Sequence, residues 1–270
     1  MFSDLALSRR LERAEGHSCV RFVEARRKLF PEAGAEWKQC AGAFVAFDGV
    51  DSPVTQTFGL GVFEKATAES LDNIEAFFFE RGSAVFHEVS PFAGLGTIGL
   101  LCDRGYRPVE IASVLCRDVQ PSGPVERPGV QVRVVSSDDI ALWAEISALG
   151  WAQEQPDLLP FLRQYGGVVA ARAGGTSFLA EVDGHPGAAG ALCIHEGVAL
   201  FAGASTVPEL RRRGLQSALL EARLEYARQQ GCDLAMMVAE VGSQSQRNAE
   251  SQGFRIAYTR IKWKLEMPSH

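Results

Sequence analysis

The chain has 270 residues, 46% hydrophobic and 22% charged, a balance that fits a globular protein of one large or two ordinary domains and excludes disordered and fibrous classes. Its formal net charge of −6 supplies no general attraction to nucleic acid or to an anionic membrane, so neither is expected as a partner and any anion site has to be local. No stretch approaches the roughly 20 apolar residues of a membrane span, and residues 1–10 mix both signs of charge instead of forming a signal-peptide core, so a cytoplasmic location is the default expectation.

The six cysteines are scattered without a CxxC pair, and Cys193 sits in an apolar run, so they read as reduced core residues and no metal is expected. In the first half, 67–81 has helical spacing, 84–89 is a short apolar run, and Gly105-Tyr106-Arg107 leads into a strand-like segment, 109–116. Residues 117–129 then carry Pro121, Pro124, Pro128, Gly123 and Gly129, which is linker chemistry. The expected division is therefore 1–120, a linker at 121–130, and 131–270.

Past the linker, Asp138 and Asp139 precede the periodic residues Ile140, Trp143, Ile146 and Leu149, a capped helix that Gly150 is expected to stop. Three strands follow, 176–182, 187–194 and 198–204, joined by the hairpin dipeptides Asp183-Gly184 and Glu196-Gly197. Pro208 is expected to open a long helix in which Leu215, Ala218, Leu219, Ala222 and Tyr226 share one face, ending near Gly231. A buried strand at 233–239, a helix at 245–251 closed by Gly253, and an alternating strand at 254–265 complete the pattern. The fold class is α+β, a mixed, mostly antiparallel sheet flanked by helices.

The most informative segment is 205–220, which runs from a strand end through a turn into a helix. A helix start leaves N–H groups without internal acceptors at the positive end of the macrodipole, which favours a pyrophosphate there. Gly214 lets the phosphate come close to the backbone, and the run Arg211, Arg212, Arg213 concentrates cations in an otherwise acidic chain.

Arg211, Gly214 and Gln216 fall where the acetyl-CoA-binding motif of the GNAT superfamily places a Gln or Arg, a Gly, and a Gly or Ala, and this segment resembles that motif. Gln216 departs from the small residue usual at its position. A second block, 242–254, ends in Gly253-Phe254 and looks like the late helix of the same family. The resemblance implies acetyl-CoA as cosubstrate, bound by Ser205, Thr206 and Val207 at the strand end, by Arg211, Arg212, Arg213 and Gly214 in the turn, and by Leu215, Gln216 and Ser217 at the helix start. Ser245 and Asn248 are further expected cofactor contacts.

The implied chemistry is N-acetylation by direct attack. A primary amine of a small molecule or peptide attacks the thioester carbonyl, a backbone N–H within 204–207 polarises that carbonyl, and coenzyme A leaves as thiolate. Side chains weighed for proton transfer are Glu181, His195, Glu196 and Glu240, with Glu181 and Glu196 preferred. The tyrosine found in many members four positions before the late glycine is replaced here by Ala249, so Tyr258 is the stand-in acid. That replacement and Gln216 keep open an alternative, a coenzyme A-binding pseudoenzyme or regulatory module without turnover. Oligomeric state is open, a homodimer among the options.

Leu100 to Pro108 followed by the strand-like 109–116 echoes 248–264, so the first half reads as a second, tandem copy of the same fold. Its corresponding helix start, 63–69, is acidic and lacks glycine, so this copy is expected to bind no coenzyme and to wall the acceptor cleft.

Overall fold

The computed structural model describes residues 2–121, 127–152 and 159–268, so 122–126 of the expected linker lie outside the described residues. The chain divides into two compact units. Unit 1 comprises Met1–Leu115, Val238–Gln246 and Ile256–His270; unit 2 comprises Cys116–Met237 and Arg247–Arg255.

Unit 1 begins with the long helix α1 (Leu5–Leu29), capped by the Asp4 side chain, which accepts from the Leu7 N–H. Strands β1 (Glu36–Cys40), β2 (Ala43–Phe47) and β3 (Gln56–Phe58) follow, β2 antiparallel to both neighbours. After α2 (Ala68–Phe79) comes β4 (Val85–Val89), which runs parallel to β3. The short helix α3 (Gly94–Asp103) then leads into β5 (Arg107–Asp118). Leu71, Ile74 and Phe78 of α2 pack with Val45, Val85, Leu101 and Trp263 in one apolar core.

Unit 2 holds β6 (Val130–Val134), α4 (Ile140–Ala152), α5 (Leu159–Ala171), β7 (Gly175–Val182), β8 (His185–His195) and β9 (Val198–Thr206). Strands β6 to β9 form an antiparallel run in chain order. Both hairpin dipeptides make the expected turns, with φ of 52° and 76° at Asp183 and Gly184 and 44° and 76° at Glu196 and Gly197. Two positive φ values in succession match the right-handed strand twist. Helix α6 (Leu215–Gln229) connects β9 to β10 (Leu234–Glu240), which is parallel to β9. Trp143 of α4 is fully buried, and its indole N–H donates to Phe178 O at 3.0 Å and Gly190 O at 3.3 Å.

The last elements are α7 (Gln244–Ser251) and β11 (Arg255–Leu265). Although β11 follows unit 2 in the chain, it pairs antiparallel with β4, Ile261 opposite Val89 and Leu265 opposite Val85. Arg260 of β11 is buried there among carboxylates: Glu15 and Glu12 of α1, and Glu88 of β4 at 2.9 Å. The mixed, mostly antiparallel sheet with flanking helices is the expected α+β class.

The two halves repeat an order of two antiparallel pairings, a parallel crossover through a helix, a short helix and a long strand. The echo at the short helices is atomic. Gly105 (φ 83°) and Gly253 (φ 80°) each end a helix, and the following Tyr106 and Phe254 N–H groups donate back to Leu101 O and Ala249 O.

Two expected boundaries moved. Helix α4 continues through Gly150 to Ala152 instead of stopping there. Helix α6 starts at Leu215, because Pro208–Leu210 is a single 3-10 turn and left-handed φ values at Arg212 (62°) and Gly214 (81°) interrupt any helix before it.

Candidate active site

The site is built around the end of β9. Its parallel ladder with β10 stops at Phe201 opposite Met237, while β9 continues to Thr206, so 202–206 present one edge without a ladder partner. On the other edge the β8 register shifts between Ala189 and Ala191, and Gly203 takes φ 63°, a bulge that re-aims the strand before the turn. The Val207 N–H donates to Gly187 O at 2.9 Å, which removes it from the 204–207 candidates for polarising a carbonyl.

The turn itself is held by its own side chains. The Arg211 guanidinium donates to Thr206 O at 3.3 Å and Gly150 O at 3.2 Å, so it fastens the turn to β9 and α4. Gln216, at the departure from the motif, donates its amide to Thr206 Oγ1 at 2.7 Å and is folded back on the strand. Ser205 is buried and its hydroxyl donates to Ser147 O at 2.9 Å. These three expected cofactor contacts therefore shape the turn through backbone and neighbouring side chains.

What remains open is the backbone. Gly214 is the N-cap of α6 without any side-chain cap, and the first helical bond runs from Ala218 N–H to Gly214 O. The N–H groups of Leu215, Gln216 and Ser217 precede that bond and lack intrahelical acceptors. With Arg212 and Gly214 both left-handed, the turn exposes successive N–H groups as an anion nest. A coenzyme pyrophosphate fits this cradle: free N–H groups, no Cβ at Gly214, and the exposed Arg212 and Arg213 alongside.

Sequence reasoning missed Gly150. A Cβ there would lie 2.5 Å from the Ser205 Cβ and 2.9 Å from the Thr206 nitrogen, so this glycine allows α4 to cross directly over the strand end. It also missed Arg127, whose Cδ stands 3.3 Å from the Cβ position of Gly214. An isolated glycine inside an apolar helical pattern was the available signal for the first; nothing local signalled the second.

Within unit 2, Glu181 and Glu196 lie at opposite ends of the β7–β9 strands. Glu181 on β7 accepts from Arg133 Nε at 3.0 Å, in a cluster with Asp139, whose carboxyl is held down to about 2, chiefly by its hydrogen bond from Arg133. Glu196 is exposed in the β8–β9 hairpin, at the opposite end of β9 from the turn. Tyr258 belongs to unit 1, buried, with its hydroxyl donating to Glu12 Oε1 at 2.9 Å; burial raises its ionisation well above the usual phenol range. Ala249 is fully buried, a core position where a tyrosine was expected from the resemblance. Ser245 is exposed and Asn248 half-buried on α7, in units 1 and 2 respectively.

Residues 140–254 match the family described as Acetyltransferase (GNAT) family. Over this segment the chain is similar to the acetyltransferases of that family. Members of that family transfer acetyl from acetyl-CoA. The structure is similar to a GCN5-related N-acetyltransferase from Kribbella flavida, at 21% identity and a TM-score of 0.63, covering 93% of this chain and 95% of that one. It is also similar to a GCN5-related N-acetyltransferase from Sphaerobacter thermophilus, at 16% identity and TM-score 0.54 over 75% and 68% of the two chains. A tandem GNAT protein from the clavulanic acid biosynthesis pathway aligns at 14% identity and TM-score 0.56, over 75% and 70%. No curated protein matches the chain. No helix among the described residues is long and apolar enough to cross a membrane.

Proposed function

We propose that the protein is an N-acetyltransferase that moves an acetyl group from acetyl-CoA to a primary amine by direct attack. The observation that carries this reading is the uncapped start of α6 at left-handed Gly214, placed beside the unpaired 202–206 edge of β9. Acetyl-CoA supplies the activated acetyl thioester. The N–H groups of Leu215, Gln216 and Ser217, with Arg212 and Arg213, hold its pyrophosphate, and the open β9 edge offers backbone groups to its amide arm. Arg211, Gln216 and Ser205 act by fixing that edge and turn relative to α4.

The side chains expected to move protons have other partners or positions in the fold. Glu181 is held by Arg133, Tyr258 donates to Glu12, and Glu196 lies at the far hairpin. The reading therefore assigns most of the acceleration to placing a neutral amine at attack distance and to carbonyl polarisation by the β9 backbone. A second reading, coenzyme binding without turnover, is favoured by the buried Ala249 and by the engaged hydroxyl of Tyr258.

Calorimetric titration of acetyl-CoA into the native chain and into Gly214→Asp tests the anchor, and release of free thiol across a panel of primary amines tests turnover. Saturable binding lost in Gly214→Asp, with amine-dependent thiol release, is the expected result. Binding without thiol release from any amine supports the pseudoenzyme, and no binding to the native chain sinks both readings.

A further inference from the structure

The cations of the arginine run are evident in the sequence, but another reaches the same turn from 87 positions before Gly214. Arg127, just ahead of β6, lays its side chain along the first two turns of α6. Its Cδ and Nε stand 3.3 and 3.6 Å from where a Gly214 Cβ would be, and its guanidinium forms a two-pronged pair with Glu221, Nη2 to Oε1 at 2.7 Å. Gly214 and Glu221 are seven residues apart, two turns along one face of α6. The stem of Arg127 thus lies at the helix start while its charge is drawn up the helix, away from the N–H groups.

On the other flank, Arg213 is held in the same manner, its Nη2 2.7 Å from Asp183 Oδ2. The Arg127 and Glu221 side chains are each 23% exposed, so the pair is open to water and to an incoming anion. A phosphate at the nest offers the guanidinium the same fork geometry with more charge and with the α6 dipole in support. Because Cδ and Nε already lie beside Gly214, the guanidinium is the part of the side chain that has to change partner.

We propose that Arg127 is a phosphate ligand for the coenzyme, retained on Glu221 when the turn is empty and transferred to a phosphate oxygen when acetyl-CoA is seated. This rests on the acetyl-CoA reading above. No bond is made or broken; the exchange is of ion-pair partners. The phosphate is either that of the pyrophosphate or the 3′-phosphate of the ribose, which share this chemistry.

The test is calorimetry on the full chain with acetyl-CoA and with its 3′-dephospho form, using Arg127→Ala and Glu221→Gln. Arg127→Ala is expected to weaken acetyl-CoA binding about tenfold, whereas Glu221→Gln, which releases the guanidinium, is expected to bind at least as tightly as the native chain. An equal loss for both ligands in Arg127→Ala assigns the pyrophosphate; a loss confined to acetyl-CoA assigns the 3′-phosphate. Unchanged acetyl-CoA affinity in Arg127→Ala, or weakened affinity in Glu221→Gln, overturns the proposal while leaving the acetyl-CoA reading intact. Failure of the native chain to bind acetyl-CoA removes that reading, and this one with it.

Discussion

The starts of α2 and α6 occupy the same place in the repeat, after a strand of an antiparallel pair and before a parallel crossover, yet one is closed and the other open. At α2, Thr67 accepts from the Ser70 N–H and Ser70 Oγ accepts from the Thr67 N–H, a reciprocal capping box with Glu69 in the first turn. The preceding loop is filled: a Cβ at Gly59 would meet the Phe63 ring at 2.3 Å, and Phe63 packs edge-on against Phe44 with Arg13 over its face. At α6 a left-handed glycine replaces the capping side chain, and three N–H groups stay unused. On the proposed reading, an anion site is kept or lost in such a fold by a few side chains at one turn, while the surrounding strands and helices remain.

This contrast predicts that changes inside unit 1 alter folding without touching acetyl-CoA affinity. The largest effect is expected at Glu12, buried and raised from 4.5 to about 7, mainly by burial, with Glu15 and Glu88 adding to the rise and Arg260 and Tyr258 opposing it. Because the folded chain holds this proton more tightly than the unfolded chain does, the contribution of Glu12 to stability is greatest below about 4.5 and declines as pH rises through about 7. Glu12→Gln, which keeps an acceptor for Tyr258, is expected to flatten that decline and to raise stability at pH 8 by about 3 kcal/mol. Denaturant melts at pH 5 and pH 8 measure it, and an undiminished pH dependence in the variant would refute it.

Next in size is Gly150→Ala in unit 2, where the new methyl has to displace the Ser205 side chain and the Thr206 backbone. A loss of about 2 kcal/mol is expected, and here acetyl-CoA affinity should fall as well, since the strand end and turn move together. Retained affinity at reduced stability would show that the turn tolerates a shift of α4. The smallest effect belongs to Thr67→Ala, which removes half of the capping box and should cost about 1 kcal/mol. Its acetyl-CoA titration is expected to overlay that of the native chain; any change in affinity would break the contrast between the two helix starts.

Features whose chemistry is local were legible in the residues alone. The Asp183-Gly184 and Glu196-Gly197 turns, the Gly253 helix end and the Gly214 turn each depend on a glycine and its immediate neighbours. The long helix α1 was not legible, because Ser8, Glu12, Gly16 and Ser18 interrupt the apolar residues of its buried face. Gly150 looked like a helix stop until Ser205 was found against it. Arg127 and Tyr258 lie 87 and 246 positions from their contacts Gly214 and Glu12, respectively, and no spacing rule reaches that far.

The pairing of β11 with β4 also bears on how the chain matures during synthesis. Everything else in the β1–β4 ladder has left the ribosome by Val89, but the strand that completes its far side begins only at Arg255. At about 5–20 residues per second, that interval lasts on the order of ten to thirty seconds. Throughout it the nascent chain carries an unsatisfied strand edge and the carboxylates of Glu12, Glu15 and Glu88 without the arginine that later neutralises them. The sheet of unit 1 can therefore be completed only after β11 has been translated, although most of the unit is translated first.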